Sequence, residues 1–386
     1  TEAEQKVKLA YSAAKVTAAD LPVPPNFSAA GAIQGKVAGA QIGRARGPGA
    51  GTFIQLRTPS SQFGSTSPLF IVDGVILASQ IDGTTLDIDN LDIASIEVIQ
   101  GAVGSTLYGS RGANGVIQIT TNRGRGIALG STRVTVRSEF GENQLSRDLP
   151  RQRAHAFRVN EQGQYVNAQG VVVPRTQRVL DPLGIMDKAY IDPLFNVTDV
   201  MLPGGRFLTN NLSVEGNSAS TNFTANVSQF GEQGIIRDNG GFRRTNLRAN
   251  LDHRVRDVFQ LSTSASYVRN RDQDWIISFR DLYRINPDVD ITARNADGSI
   301  RVVPDSTQQQ RVNPLYRQQF TESFTTGGRA LLSAQARYTP LSWLAVDANA
   351  SLDRADRSPS FFEPAGVPNA NNIDQPALGT FQQGRT

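Results

Sequence analysis

The 386-residue chain contains no cysteine, only two methionines and only two histidines. The absence of cysteine removes disulfide scaffolds, thiolate metal sites and thiol nucleophiles. His155 and His253 lie far apart with no ligand spacing around them, so both read as satisfied surface or lumen residues rather than metal ligands. No run approaches the ~18 apolar residues of a membrane-spanning helix. That excludes a helical membrane protein. It leaves a membrane β-barrel open, because such strands are individually only half apolar. An excess of one charge sign is also missing: 39 basic and 35 acidic side chains leave +4. Both signs are spread along the chain, ten against nine in residues 1–126 and 29 against 26 in residues 127–386. A phosphate-tracking surface needs an isolated basic stripe, so no nucleic-acid partner is expected. The sequence opens at Thr1 without a signal peptide, and any targeting segment is expected upstream. A cysteine-free chain suits a secreted or envelope protein.

What is present divides into two textures. Up to about Arg125 short helix-like and strand-like pieces alternate with dense glycine. Ser28 to Val37 reads as a short helix capped by Ser28. Phe53 to Arg57 reads as a strand, and Leu69 to Val72 as a short buried one closed by the turn signal Asp73-Gly74, with Val75 to Leu77 following. Asp92 to Ile96 reads as one helical turn and Glu97 to Ile99 as a strand. Gly104 to Gly109 reads as a short helix, and Gly115 to Thr121 as a strong strand. Together these make an α+β unit long enough for its own core.

Beyond that point the period is two. Leu247, Ala249 and Leu251 alternate with Asn246, Arg248, Asn250 and Asp252. Phe223, Ala225 and Val227 alternate with Asn222, Thr224, Asn226 and Ser228. Similar segments occur at 133–140, 211–215, 259–268, 329–338 and 343–353, seven strands in all. One face is apolar and the other carries Arg, Asp and Asn. A soluble sandwich also alternates and stays an alternative, but the connections favour the barrel. Long links near 141–207, 270–327 and after 354, with a medium one at 231–241, are interleaved with tight turns at Asn217-Ser218, 254–257 and Pro340. That is the up-and-down meander of an outer-membrane barrel, with short periplasmic turns and long external loops. Phe259 and Tyr267 share the apolar face eight residues apart, about 26 Å at ~3.3 Å per residue, near the ~25 Å apolar band of such barrels.

The stretches PLFIVDGVILA and LDIASIEVIQGAVGSTLYGSRGANGVIQITTNRG, within Pro68 to Gly124, resemble the plug signature of TonB-dependent outer-membrane transporters. The branch most resembled is SusC/RagA-like. AIQGKVAGAQI and GPGAG upstream fit the same plug, and NNLSVEGNSASTNFTANVSQFGEQGIIR, RINPD and NPLY downstream resemble that branch's early barrel. The expected architecture is therefore mainly β. A small α+β plug domain, residues 1–126, precedes the antiparallel up-and-down strands of an incomplete outer-membrane β-barrel, residues 127–386. The family's barrel has about 22 strands, whereas seven strands use the 260 residues from 127 to 386. The chain is thus expected to be part of a larger transporter. Residues 1–20 show no clear TonB box, which places the coupling strand upstream or in degenerate form.

The resemblance implies TonB-dependent import of an oligosaccharide or peptide across the outer membrane of a Gram-negative-type bacterium, with no enzyme activity and no cofactor. The alternative is a truncated relative acting as a surface binding or assembly protein. Implied partners are TonB, through a segment at or before the N-terminus, a SusD-like surface lipoprotein and outer-membrane lipid; a homo-oligomer is also possible. The plug residues expected to maintain and gate the fold are Asp73, Gly74, Glu97, Gly101, Tyr108, Gly109, Arg111, Asn114 and Gly115, with Glu97 as an ion partner for Arg111. Ligand contact is expected from Arg57 and from the 270–327 loop, which carries Trp275, Phe279, Tyr283 and Tyr316 beside Asp272, Asp274, Arg280 and Arg284. Aromatic platforms beside polar groups suit sugars and peptides. The acidic run from Asp82 to Asp92 misses the EF-hand spacing, and no P-loop or Gly-x-Ser-x-Gly elbow occurs.

Overall fold

The computed structural model describes residues 13–17, 35–44, 52–56, 67–77, 93–100, 102–190, 192–273, 276–304, 312–365, 378–382 and 384–385. The N-terminal unit is a five-stranded sheet in the order β1-β6-β7-β4-β5. Its strands are β1 (Ala13–Thr17), β4 (Leu69–Val72), β5 (Val75–Ile76), β6 (Ile93–Ile99) and β7 (Val116–Thr121). A separate hairpin, β2 (Ala40–Arg44) with β3 (Thr52–Leu56), packs on one face. Strand β4 runs parallel to β7, with Phe70 opposite Ile117. All four β4 residues are buried, as the continuous apolar run LFIV requires of a strand covered on both faces. Phe70 and Val72 point into a core with Ile54, Leu56, Ile96, Val98, Ile117 and Ile119. Leu69 and Ile71 point the other way, into a smaller core with Ile99, Val116 and Tyr108. The helix α1 (Ala102–Tyr108) and a 3-10 turn at Gly109–Gly112 cover that second face.

Two local expectations are corrected. Ile93 to Ile96 is not a helical turn but the start of β6, paired with β1 and β7. The spacing of Ile93 and Ile96 imitates a helix because the register shifts between Ile93 and Ser95. An irregularity of this kind inserts a residue and returns the next apolar side chain to the same face. Ile93, Ile96 and Val98 accordingly share one core. The second correction concerns Val37, which lies in a turn between Gly35 (φ +74°) and Gly39 (φ +76°) rather than in a helix. Ser28 lies outside the described residues.

Among the described residues beyond Thr121, seven long strands form an antiparallel sheet. They are β8 (Ser131–Asn143), β11 (Gly205–Asn217), β12 (Thr221–Glu232), β13 (Phe242–Val255), β14 (Phe259–Gln273), β15 (Glu322–Leu341) and β16 (Leu344–Glu363). Each pairs with the next in sequence order, in an unbroken meander. Two short strands extend the sevenfold count by pairing with β16: β17 (Leu378–Phe381) and β18 (Gly384–Arg385). The polarity of this sheet is inverted relative to a soluble sandwich. On β12 to β14 the polar residues Thr224, Asn226, Ser228, Asn246, Asn250 and Ser264 are buried. Their apolar neighbours Val227, Leu247, Leu251 and Tyr267 are exposed. Water around such a sheet would expose leucines while polar groups were buried, so the outward face fits a hydrocarbon surrounding. No helix among the described residues is long and apolar enough to cross a membrane.

At the long-loop end of the wall, the β8–β11 and β14–β15 connections fold on each other. The first contains the paired segments β9 (Ala154–His155) and β10 (Lys188–Ala189) and the helix α2 (Val197–Met201). The second contains α3 (Phe279–Tyr283) and α4 (Pro314–Phe320). Val197, Met201, Ile277, Leu282, Ile285 and Ile291 form their shared core. His155 is not a surface residue: it is 1% exposed within this module. His253 is half-buried, and its Nδ1 lies 2.8 Å from Thr221 Oγ1.

Candidate functional site at the plug–wall seam and the loop mouth

The seam starts at a two-residue hairpin. Val72 pairs with Val75, leaving Asp73 and Gly74 as the turn. Both have positive φ, +47° and +83°. That is the condition for a tight hairpin turn and the reason Asp-Gly suits it. The Asp73 amide donates to the Ile119 carbonyl at 3.0 Å, which ties the tip to β7. Its carboxylate accepts from the Thr121 amide at 3.0 Å, Thr121 Oγ1 at 2.6 Å and Ser264 Oγ at 3.3 Å, and it pairs with Arg248. The Arg248 guanidinium also donates to Thr121 Oγ1 at 2.7 Å. Asn250 donates to Thr121 Oγ1 at 3.1 Å and to the Asn122 carbonyl at 2.7 Å, and accepts from Ser264 at 2.8 Å.

The chain leaving β7 continues the seam. Asn122 donates to Glu215 at 2.6 Å. Arg123 and Arg125 each meet Asp252, both at 2.8 Å. Arg133, on the wall itself, reaches Glu215 through Nε at 2.8 Å. Gly124 has φ +75°, and a Cβ there would sit 2.5 Å from the Phe223 carbonyl, so only glycine lets the arm lie this close to β12. The acidic partners are almost fully enclosed, with side-chain exposures of 3% for Asp73 and 5% for Asp252. Buried charge pairs of this kind add little net stability over an apolar seam, but removing one partner is strongly unfavourable. They therefore specify one docked position rather than glue two apolar faces together.

The plug residues singled out from the sequence fall on and around this frame. Asp73 and Gly74 are the hairpin tip. Tyr108 packs against the Leu69–Val116 core. Gly109 has φ +66° and closes α1. Gly115 has φ +96°, and a Cβ there would meet Leu56 Cδ1 at 2.8 Å and the Ile99 carbonyl at 3.1 Å. Asn114 donates to the Ser67 carbonyl at 3.4 Å. Glu97 does not pair with Arg111. It meets Lys15 across the β1–β6 pair at 2.9 Å, because Lys15 is its register partner, while Arg111 is exposed in the 3-10 turn. Gly101 and Arg57 lie outside the described residues, as does Trp275.

The loop aromatics are brought together only in part. Tyr283 bridges the two loops: its hydroxyl donates to Asp148 and accepts from the Leu149 amide at 3.2 Å. The Arg151 guanidinium lies 5.5 Å from its ring centroid. The Tyr283 hydroxyl, with Thr198 and Asn196, holds the Asp148 carboxyl below the usual carboxylate range; burial and that same bond push the Tyr283 phenol up. Tyr316 packs on Phe320 at 4.5 Å, and Phe279 is partly exposed. Between the two loops Arg178 and Asp288 form an ion pair with both side chains fully buried. Tyr165 donates to Asp288 at 3.0 Å. Burial, reinforced by Asp288, pushes the Tyr190 phenol up to about 12. Among the described residues no group of three or more His, Asp or Glu could hold a metal ion.

The seam partners Thr121, Glu215, Arg248, Asp252 and Ser264 were not singled out as site residues from the sequence. Their signal was the Arg, Asp and Asn content of the polar strand faces, which names the face but not the height at which the plug meets it.

Comparison with known proteins agrees with this geometry. Residues 5–116 match the TonB-dependent Receptor Plug Domain family. A TonB-dependent receptor of Formosa agariphila is 26% identical over 371 residues, covering 95% of this chain and 36% of that protein. The TonB-dependent receptor SusC of Bacteroides thetaiotaomicron is 34% identical over 99 residues, 24% of this chain and 10% of SusC. Among solved structures, the RagAB peptide importer in its closed-closed state superposes with a TM-score of 0.70 at 20% identity, over 97% of this chain and 44% of that one. The chain thus spans between about a third and a half of the full-length relatives that it matches along most of its own length. With the plug signature, the meandering wall and the polar seam between them, the chain is similar to the TonB-dependent receptors: residues 5–116 match their plug domain, and the fold is that of the corresponding part of the RagAB importer.

Proposed function

We propose that the full-length protein containing this chain imports an oligosaccharide or peptide across the outer membrane, driven through TonB. In this reading residues 1–126 are the plug and 127–386 the first part of the barrel. The observation that carries it is the seam. A plug held to its wall by ion pairs and hydrogen bonds can move aside, because water replaces those bonds as it enters; an apolar seam has no such substitute. TonB would engage a segment at or before the N-terminus by adding a strand, a β-augmentation. A SusD-like lipoprotein would sit over the long-loop end, and Phe279, Tyr283 and Tyr316, with Arg57 and Trp275, remain the proposed ligand contacts. The role is transport rather than catalysis.

The absence of native cysteine in this chain makes a direct test available in its full-length protein, once any other cysteines are removed. Thr121→Cys and Asn250→Cys replace side chains in contact across the seam at 3.1 Å. Uptake of labelled oligosaccharide and peptide pools is measured in cells before and after oxidation. Uptake that needs TonB, stops on oxidation and returns on reduction supports the reading. Uptake of the same pools that is unchanged with the cross-link formed overturns it.

A further inference from the structure

We propose that His155 is an acid-sensitive clasp that holds the β8–β11 loop module against the β14–β15 loop and releases it when protonated. The imidazole is 1% exposed. Its Nδ1 accepts the Phe157 amide at 3.0 Å, so the proton of the neutral ring is on Nε2. A second proton has to go to Nδ1, which is already facing an N–H donor. Protonation therefore breaks this bond and sets two donors against each other in a closed space.

The surroundings amplify the effect. The ring packs against Phe157, Tyr165 and Tyr190 at centroid distances of 5.3, 5.4 and 4.8 Å. Arg178 lies over Phe157 at 4.3 Å and Tyr165 at 5.4 Å, so a cation already occupies this aromatic cluster. The charged groups acting on His155 are Asp288, Arg178 and Lys188, with the neutral phenols of Tyr165 and Tyr190 beside it. Asp288 favours a charged ring, but its carboxylate is engaged by both Arg178 and Tyr165. Burial, followed in the same sense by Arg178 and Lys188, outweighs Asp288 and a backbone hydrogen bond at Ala189, and holds the imidazole pKa below its ordinary value near 6.5.

The same residues join the two loops. Tyr165 and Arg178 reach from the first loop to Asp288 in the second, and Tyr190 donates to Asn286 at 3.1 Å. The Phe195 amide adds a bond to the Pro287 carbonyl at 2.6 Å. A proton on His155 thus acts on the strip that ties one loop to the other. The clasp does not depend on the import reading. Only its consequence, a wider mouth in acid, rests on that proposal.

The test is hydrogen exchange on the full-length receptor in nanodiscs at pH 7.5 and pH 5.0, read as protection factors at Phe157, Arg158 and Val166. Their amides bond within this module. The wild type should lose protection at pH 5.0, by up to about tenfold for each pH unit between the open module's ordinary value near 6.5 and the lower value of the closed one. His155→Gln can still accept the Phe157 amide and does not titrate; it should keep equal protection at both values. Should the glutamine variant open the module at pH 7.5, His155→Phe fills the same space and serves in its place. Equal wild-type protection at both pH values would overturn the clasp. So would an undiminished acid loss in a non-titrating variant, which would assign the switch to another group. Transport plays no part in the readout, so failure of the clasp and failure of the import reading remain distinguishable.

Discussion

Replacing Asp73 by Asn tests whether charge in the seam holds the plug in place. The substitution keeps the left-handed turn, since Asn tolerates the φ of +47° found there. It also keeps an oxygen for the Thr121 amide, which now donates to Asp73 at 3.0 Å. What it removes is the negative charge facing Arg248, whose side chain is 5% exposed against 3% for Asp73. Deleting one partner of a buried pair costs about 3–5 kcal/mol. At about 1.4 kcal/mol per tenfold, the equilibrium for plug release should shift by about two to three and a half powers of ten. In the plug-out state both groups are hydrated, so nearly all of that cost falls on the docked state. The assay is the conductance of single full-length receptors in planar bilayers across a urea series. The open fraction of the Asp73→Asn protein should rise at far lower urea. Arg248→Met should act in the same direction, and the double variant should cost much less than the sum, because no buried charge is left without its counter-charge. A shift under about tenfold, or strict additivity of the two, would refute a seam governed by this pair.

Three further outcomes follow from other parts of the structure. Leu251→Arg puts a cation on the outward face of β13, where Leu251 is exposed; at mid-bilayer depth it should cost about 2–4 kcal/mol in folding into lipid vesicles. Gly115→Ala meets both a φ of +96° and the close Leu56 side chain, so it should destabilise the plug by about 1–3 kcal/mol, read as faster plug proteolysis with the wall intact. Asp148 is held below its ordinary 3.8, first by the Tyr283 hydroxyl. A depressed carboxyl contributes stability that is complete above its unfolded value and disappears as pH falls through the folded one. Tyr283→Phe should therefore move the acid limb of the loop module's protection profile to higher pH, and an unmoved limb would count against that bond.

Much of the architecture was legible along the chain because it depends on short-range pattern. The period of two in Leu247, Ala249 and Leu251 against Arg248, Asn250 and Asp252 fixed two faces before any pairing was known. The alternation of tight turns and long links then ordered the strands as a meander, which the unbroken β8-to-β16 pairing bears out. Asp73-Gly74 announced its hairpin because the turn itself demands two positive φ angles. Where reading failed, a longer-range cause intervened. The irregular register near Ser95 disguised a strand as a helical turn. Glu97 met Lys15 rather than Arg111, since strand register and not residue type chose its partner.

The sequence by itself determined which side chains face out, which face in and where the chain turns, because those follow from backbone period and local torsion. Only the tertiary structure decided that Asp73 meets Arg248, 175 positions away, that Arg123 and Arg125 share Asp252, and that His155 is enclosed between two loops. A strand's pattern specifies its face but leaves its stagger free, and the height at which the plug docks is set by many weak contacts acting together. Pairings that join the two units are therefore properties of the assembled fold.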